Sequence, residues 1–136
     1  MNKRALLVVY SDLARDSRVQ RHLSFLEKTG YHVDVWDHSL LYQQYNRSLR
    51  DKALFYYYLL FYPLKAYEMI FRYDTLPKKG EYDLIIANDW NALPPAFKAP
   101  LSKQGVIIYD SHELALHQNR ESCKWKLTFP RIIRAV

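Results

Sequence analysis

The chain has 136 residues, 49% of them apolar and 25% charged, and a formal net charge of +6. That length holds one domain with a sizeable core and not comfortably two, and the composition excludes a disordered, collagen-like or disulfide-rich chain. Three glycines cannot build a G-x-G-x-x-G dinucleotide loop, no G-x-x-x-x-G-K phosphate loop is present, and the single Cys123 excludes an internal disulfide or a cysteine-based zinc site and fits a reducing, cytoplasmic compartment.

The run Ala5 to Tyr10 is too short for a signal-peptide core, and Asp12, Arg15 and Asp16 follow at once. It predicts a first strand. Val19, Leu23 and Leu26 then fall on one helical stripe, with His22 and Phe25 beside it. Asp16 or Ser17 suits the cap of that helix, and Gly30 suits its stop. Tyr31 to Trp36 alternates, which predicts a half-buried strand near a sheet edge.

Residues 40–74 form a Tyr-rich helical insert. Leu54 to Tyr62 is aromatic all round, Pro63 splits it, and Leu64, Tyr67, Ile70 and Phe71 give a second stripe. The apolar run is shorter than the roughly 20 residues a spanning helix needs. Arg47, Arg50, Lys52, Lys65 and Arg72 accompany the aromatics. That pairing suits an anionic membrane face, and it equally suits simple packing on the domain or on a partner.

Two more continuous apolar runs follow, Leu84 to Ala87 and Val106 to Tyr109. Continuous runs of this length predict parallel strands buried on both faces. Between them Asn91 suits a helix cap, Pro94 and Pro95 suit a first turn, and Gly105 leads into the last strand. Residues 121–136 read as a helix interrupted at Pro130, with an apolar stripe at Phe129, Ile132, Ile133 and Val136. The alternation predicts an α/β fold, a Rossmann-like doubly wound parallel sheet with right-handed crossovers. Four strands make a small sheet of this kind. The chain therefore reads as part of a larger architecture, with the C-terminal stripe exposed if a second domain is missing.

In such a sheet ligands bind at the carboxyl ends of the strands. Ser11, Asp12, Arg15, Asp16 and Arg18 follow the first strand, and Asp37 and His38 the second. Asn88, Asp89 and Trp90 follow the third, and Asp110, Ser111, His112 and Glu113 the fourth. His112 is the candidate proton carrier, with Glu113 in support and Asp110 as a helix cap or as its orienting partner. Arg15 and Arg18 at a helix start suit a phosphate or a set of sugar hydroxyls. Asp89 suits ligand hydroxyls and Trp90 a sugar face, although Asn88 or Asp89 equally suits an Asx-turn. His112 and His117 are five residues apart and point about 140° from one another on a helix, so no metal site is predicted. His22 and His32 read as ordinary. No helix concentrates Arg and Lys with base-reading residues, so no nucleic acid is expected.

Asp16-Ser17-Arg18-Val19-Gln20-Arg21, then Gly30-Tyr31-His32-Val33, then Tyr82 to Trp90 and Tyr109 to Glu113, resembles in order and spacing the retaining group 1 glycosyltransferases of family 4. The resemblance covers most of the chain except the aromatic insert. It implies one half of a GT-B architecture. The chain would be the N-terminal, acceptor-side domain, and the donor-binding domain would be absent. It implies a nucleotide-sugar donor, a sugar or lipid-linked acceptor, no cofactor and no metal. It places Asp16, Arg18, Asp89, His112 and Glu113 at the cleft, with His112 nearest the reacting sugar. The first loop, Ser11 to Asp16, departs from the family pattern: it lacks the glycine pair that lies near the donor phosphates in many members, so no donor contact is carried over to it. A different reading of the same residues is a non-catalytic module that docks on a membrane or a protein through the basic, Tyr-rich surface.

Overall fold

The computed structural model describes residues 3–37, 48–71, 80–111 and 130–135. Strand β1 (Lys3–Val9) carries five consecutive fully buried residues, Ala5 to Val9. A strand can bury both faces only with neighbours on both edges and helices on both sides. Strand β2 (Tyr31–Asp37) flanks it on one edge, running parallel with Lys3 opposite Tyr31 and Val9 opposite Asp37. Strand β3 (Tyr82–Asn88) flanks the other, with Ala5 opposite Leu84. Strand β4 (Leu101–Asp110) extends the sheet beyond β3, so the order is β2-β1-β3-β4, all parallel. This is the α/β, Rossmann-like doubly wound sheet that the alternation predicts.

Helix α1 (Ser17–Lys28) starts at Asp16, whose carboxylate accepts from the amides of Arg18 and Val19. It ends at Thr29, and Gly30 follows at φ +86°, the left-handed conformation that a side chain resists. Val19 and Leu26 press onto Ala5, Leu7, Val9 and Ile86. On the opposite face Leu6, Val8, Ile85 and Ala87 meet Ala92, Ala96 and Ala99 of the segment around helix α4 (Leu93–Lys98). Small residues let this short helix lie close to the sheet.

The insert forms helix α2 (Leu49–Phe61), opened by a reciprocal Ser48–Asp51 capping box, and helix α3 (Pro63–Ile70). Pro63 breaks the run at the predicted place, because it has no N–H to continue α2 but suits the first turn of α3. Phe55, Leu59, Ala66, Tyr67 and Phe71 form their own cluster with Trp90 and Ile132, joined to the sheet through Tyr10.

Four local expectations change. Asn91 caps nothing: Trp90–Ala92 is a single 3-10 turn, and Ala92 precedes α4 with no side-chain bond. Gly105 lies inside β4 rather than before it. That strand is not buried on both faces either: as an edge strand it leaves Val106, Ile108 and Tyr109 exposed. Finally, residues 130–135 are helical, and Ile132 is fully buried in the α2–α3 cluster rather than exposed. Phe129 and Val136 lie outside the described residues.

Candidate functional site

From β1 the chain steps out to β2, then crosses back to enter β3 on the other side of β1. The switch point lies between β1 and β3, and its carboxyl edge is where such sheets leave a crevice. Asn88, only 2% exposed at the end of β3, spans this gap by donating from Nδ2 to the Val8 carbonyl at 3.4 Å.

The first turn of α1 delivers Arg18 over that edge. Its Nη2 lies 3.0 Å from Asp89 Oδ2 and 3.6 Å from Asp16 Oδ2, and its Nε lies 3.6 Å from Asp110 Oδ2. Asp16, Asp89 and Asp110 come from the loop after β1, the tip of β3 and the end of β4, so one guanidinium ties three strand ends. Burial opposes Arg18's charge, but the Asp89 hydrogen bond and the three carboxylates outweigh it and hold its pKa above the ordinary value. Burial likewise pushes the Asp16 carboxyl up. The Ser11 hydroxyl donating at 2.6 Å, the Val19 amide and the Arg18 charge outweigh this and hold it below the usual carboxylate range.

Asp89 adopts φ 71°, ψ 166°, the one non-glycine residue at positive φ among the described residues. This region is close to glycine-only and costs about 1–3 kcal/mol. The strain persists because three contacts fix it. The Asp89 amide donates to the Asp110 carbonyl at 3.0 Å, the Asp89 carbonyl accepts from Ala92 at 3.1 Å, and the side chain holds Arg18.

The structure thus brings together Asp16, Arg18 and Asp89 of the predicted site. His112 and Glu113 lie outside the described residues, as does His38. Asp110, read from the sequence as a helix cap or as an orienting partner for His112, pairs with Arg18 in this cluster. His22, read as ordinary, joins it, with Nε2 3.8 Å from Asp110 Oδ2. The spacing of His22 from Arg18, i and i+4 on one helix, puts both on one face and was the available signal. Trp90 does not present a sugar platform. It is buried edge-on against Phe71, with centroids 5.5 Å apart and planes at 88°.

The predicted phosphate cradle at the start of α1 is also altered. Asp16 fills the helix N terminus, Arg18 is held by carboxylates, and the exposed Arg15 pairs with Asp12 at 3.5 Å. An open cleft of about 430 Å³ remains, lined by Ser11, Asp12, Arg15, Asp16, Ser17, Arg18 and Arg21. Among the described residues no group of three His, Cys, Asp or Glu side chains is placed to hold a metal ion. The carboxylates converge on a guanidinium instead.

Among the described residues, the buried side-chain polar atoms lacking a hydrogen-bond partner all lie at or near this edge. They are Arg18 Nη1, His22 Nδ1, Asn88 Oδ1, Asn91 Oδ1 and Asp110 Oδ2. Buried polar atoms are normally paired. Here spare donors and acceptors gather where three strands deliver charge, an arrangement fit to exchange hydrogen bonds with hydroxyl groups. Compared with known proteins, the chain matches no family model, no curated protein and no solved structure.

Proposed function

We propose that the chain is the N-terminal, acceptor-side half of a retaining glycosyltransferase of the two-domain GT-B kind, and that Asp16, Arg18 and Asp89 bind hydroxyls of the acceptor. The observation that carries this reading is the strained Asp89 locked onto Arg18 at the switch point. Backbone strain maintained at a ligand edge is a mark of a site that must hold one side chain in one pose. Carboxylates accept hydrogen bonds from sugar hydroxyls, and the guanidinium donates to them.

A nucleotide-sugar would be held by the second domain. His112 and Glu113 complete the acceptor side by resemblance, His112 nearest the reacting carbon. Neither cofactor nor metal is required, since basic groups and helix N termini can stabilise a departing diphosphate. The acceptor is a glycan or a lipid-linked sugar, and the enzyme works in the cytoplasm at the inner face of a membrane.

The test is sugar titration of the chain followed by backbone NMR. Neutral mono- and disaccharides shift the amides of Ser11, Arg18 and Asp89, and Asp89→Asn removes the response. A null response at these amides, with the fold intact, overturns the reading. In the enzyme assembled with its donor half, His112→Ala lowers turnover more than ~10-fold without unfolding the domain. Unchanged turnover removes His112 from the chemistry.

A further inference from the structure

Helix α2 buries Phe55 and Leu59, yet a second side, turned about 100° from that stripe at 3.6 residues per turn, is also apolar. Leu49, Tyr56 and Leu60 recur at helical spacing and are 85%, 58% and 56% exposed. Tyr57 and Phe61 flank this row, and Tyr62 and Leu64 continue it past the break, each at least half exposed. A soluble surface helix has one apolar stripe turned to the core. This one has a second, turned outward. A contiguous exposed apolar face of this kind marks an interaction surface.

We propose that the α2–α3 face docks on an anionic lipid surface, lying in the headgroup layer without crossing it. Three observations choose this occupant.

The first is charge. Arg50, Lys52 and Lys65 flank the aromatic row, and no carboxylate among the described residues pairs with them. Asp51 is engaged with Ser48 in the capping box, with Oδ2 at 2.8 Å from Ser48 Oγ and 3.1 Å from its amide, and Glu68 faces Lys98 at 3.6 Å. The Lys65 ammonium lies over the Tyr58 and Tyr62 rings, 5.6 and 5.3 Å from their centroids, so the positive charge sits directly among the aromatic side chains.

The second is residue type. Tyr56, Tyr57 and Tyr62 each present an apolar ring with a polar tip, which suits a boundary that is apolar below and wet above. The third is length. Among the described residues no helix is long and apolar enough to cross a membrane. A face on two short helices can lie along a bilayer surface.

A second copy of the chain fits less well. A two-fold dimer would place this patch on its own image and set Arg50, Lys52 and Lys65 near their equivalents. The inference names the surface behind the inner-face placement proposed above and rests on that placement alone. It uses none of the sugar-binding residues, so its test needs no transfer activity.

The experiment is co-sedimentation of the chain with phosphatidylcholine vesicles, with and without phosphatidylglycerol. The chain pellets with the anionic vesicles, and rising salt releases it. Arg50→Glu with Lys65→Glu weakens binding at least ~5-fold. Tyr57→Ser with Phe61→Ser abolishes it, while Val106→Ser with Ile108→Ser on the exposed edge strand leaves it intact. Circular dichroism checks that each variant folds. Three results overturn the proposal. One is no binding to anionic vesicles. Another is binding indifferent to these charges. The last is a lipid-free dimer that the Tyr57 and Phe61 substitutions dissolve.

Discussion

Asp89 lends itself to a test whose sign runs against ordinary expectation. In an unstrained loop, glycine in place of alanine loosens the unfolded chain and costs stability. At φ 71°, ψ 166° the order inverts, because glycine adopts that region freely and alanine does not. Both variants lose the Arg18 pair equally. Asp89→Gly should therefore be more stable than Asp89→Ala by about 1–3 kcal/mol in urea unfolding. The opposite order would show that the residue is not held in this conformation. Arg18 gives the complementary test. Arg18→Met leaves Asp16, Asp89 and Asp110 facing one another without their shared cation, and the fold weakens at neutral pH. Asp16 makes the acid dependence informative. Its folded pKa is depressed, so its stabilising effect is present above the ordinary carboxylate pKa of about 4. That effect is lost as pH falls through the still lower folded value. In Arg18→Met the carboxylates repel, so mild acid should stabilise the variant, while the parent, whose Asp16 effect is lost only below about pH 4, stays level over the same range. Thermal unfolding between neutral pH and pH ~4 distinguishes the two slopes.

At the scale of single elements, the opposite, amino end of the sheet has a lock of its own. Arg4 Nη2 meets Asp34 Oδ2 at 2.6 Å, Tyr82 Oη donates to the same oxygen at 2.8 Å, and the Arg4 amide donates to Asp83 at 2.9 Å. One side chain each from β1, β2 and β3 is thereby joined. Burial first, then the hydrogen bond and charge of Asp34, pushes the Tyr82 phenol up to about 12. The folded state thus holds its proton more tightly than the unfolded state. The associated stability is full below the ordinary phenol pKa of about 10 and is lost as pH rises from there toward 12. Tyr82→Phe should flatten the alkaline limb of the stability profile, measured by denaturant midpoints; an unchanged limb would place the titration elsewhere. Gly105 shows a different constraint. A Cβ there would stand 2.7 Å from the Tyr82 carbonyl and 2.7 Å from Leu101 Cδ1. Backbone cannot yield as a side-chain tip can, so Gly105→Ala should cost about 1–3 kcal/mol. This close approach coincides with the register shift between Tyr82 and Leu84. It explains why a glycine read as a lead-in belongs inside the strand.

For the molecule as a whole, what could be read from the chain and what could not divide along physical lines. Local chemistry was legible. Asp16 before an apolar stripe is a cap, Pro63 ends a helix, and continuous apolar runs are parallel strands, because each signal acts within one turn or one strand. Long-range placement was not. The run Val106 to Tyr109 resembles Leu84 to Ala87 in sequence, yet one is an edge and the other is central. Trp90 and Ile132 turn inward because the α2–α3 cluster is there to receive them, and Asp110 joins Arg18 because β4 ends level with β3. The same distinction predicts how the fold opens. Amide exchange follows the strand's place in the sheet rather than its apolarity. The amides of β1 and β3 lie between paired neighbours, whereas among the described residues β2 and β4 each have a neighbour on one edge only. Protection should therefore be greatest across Ala5–Val9 and Leu84–Ala87 and distinctly lower at Val106–Tyr109, despite near-equal hydrophobicity. Native-state hydrogen exchange resolves the two segments. Equal protection would mean that β4 is covered on its outer edge, as in a sheet continued by another strand.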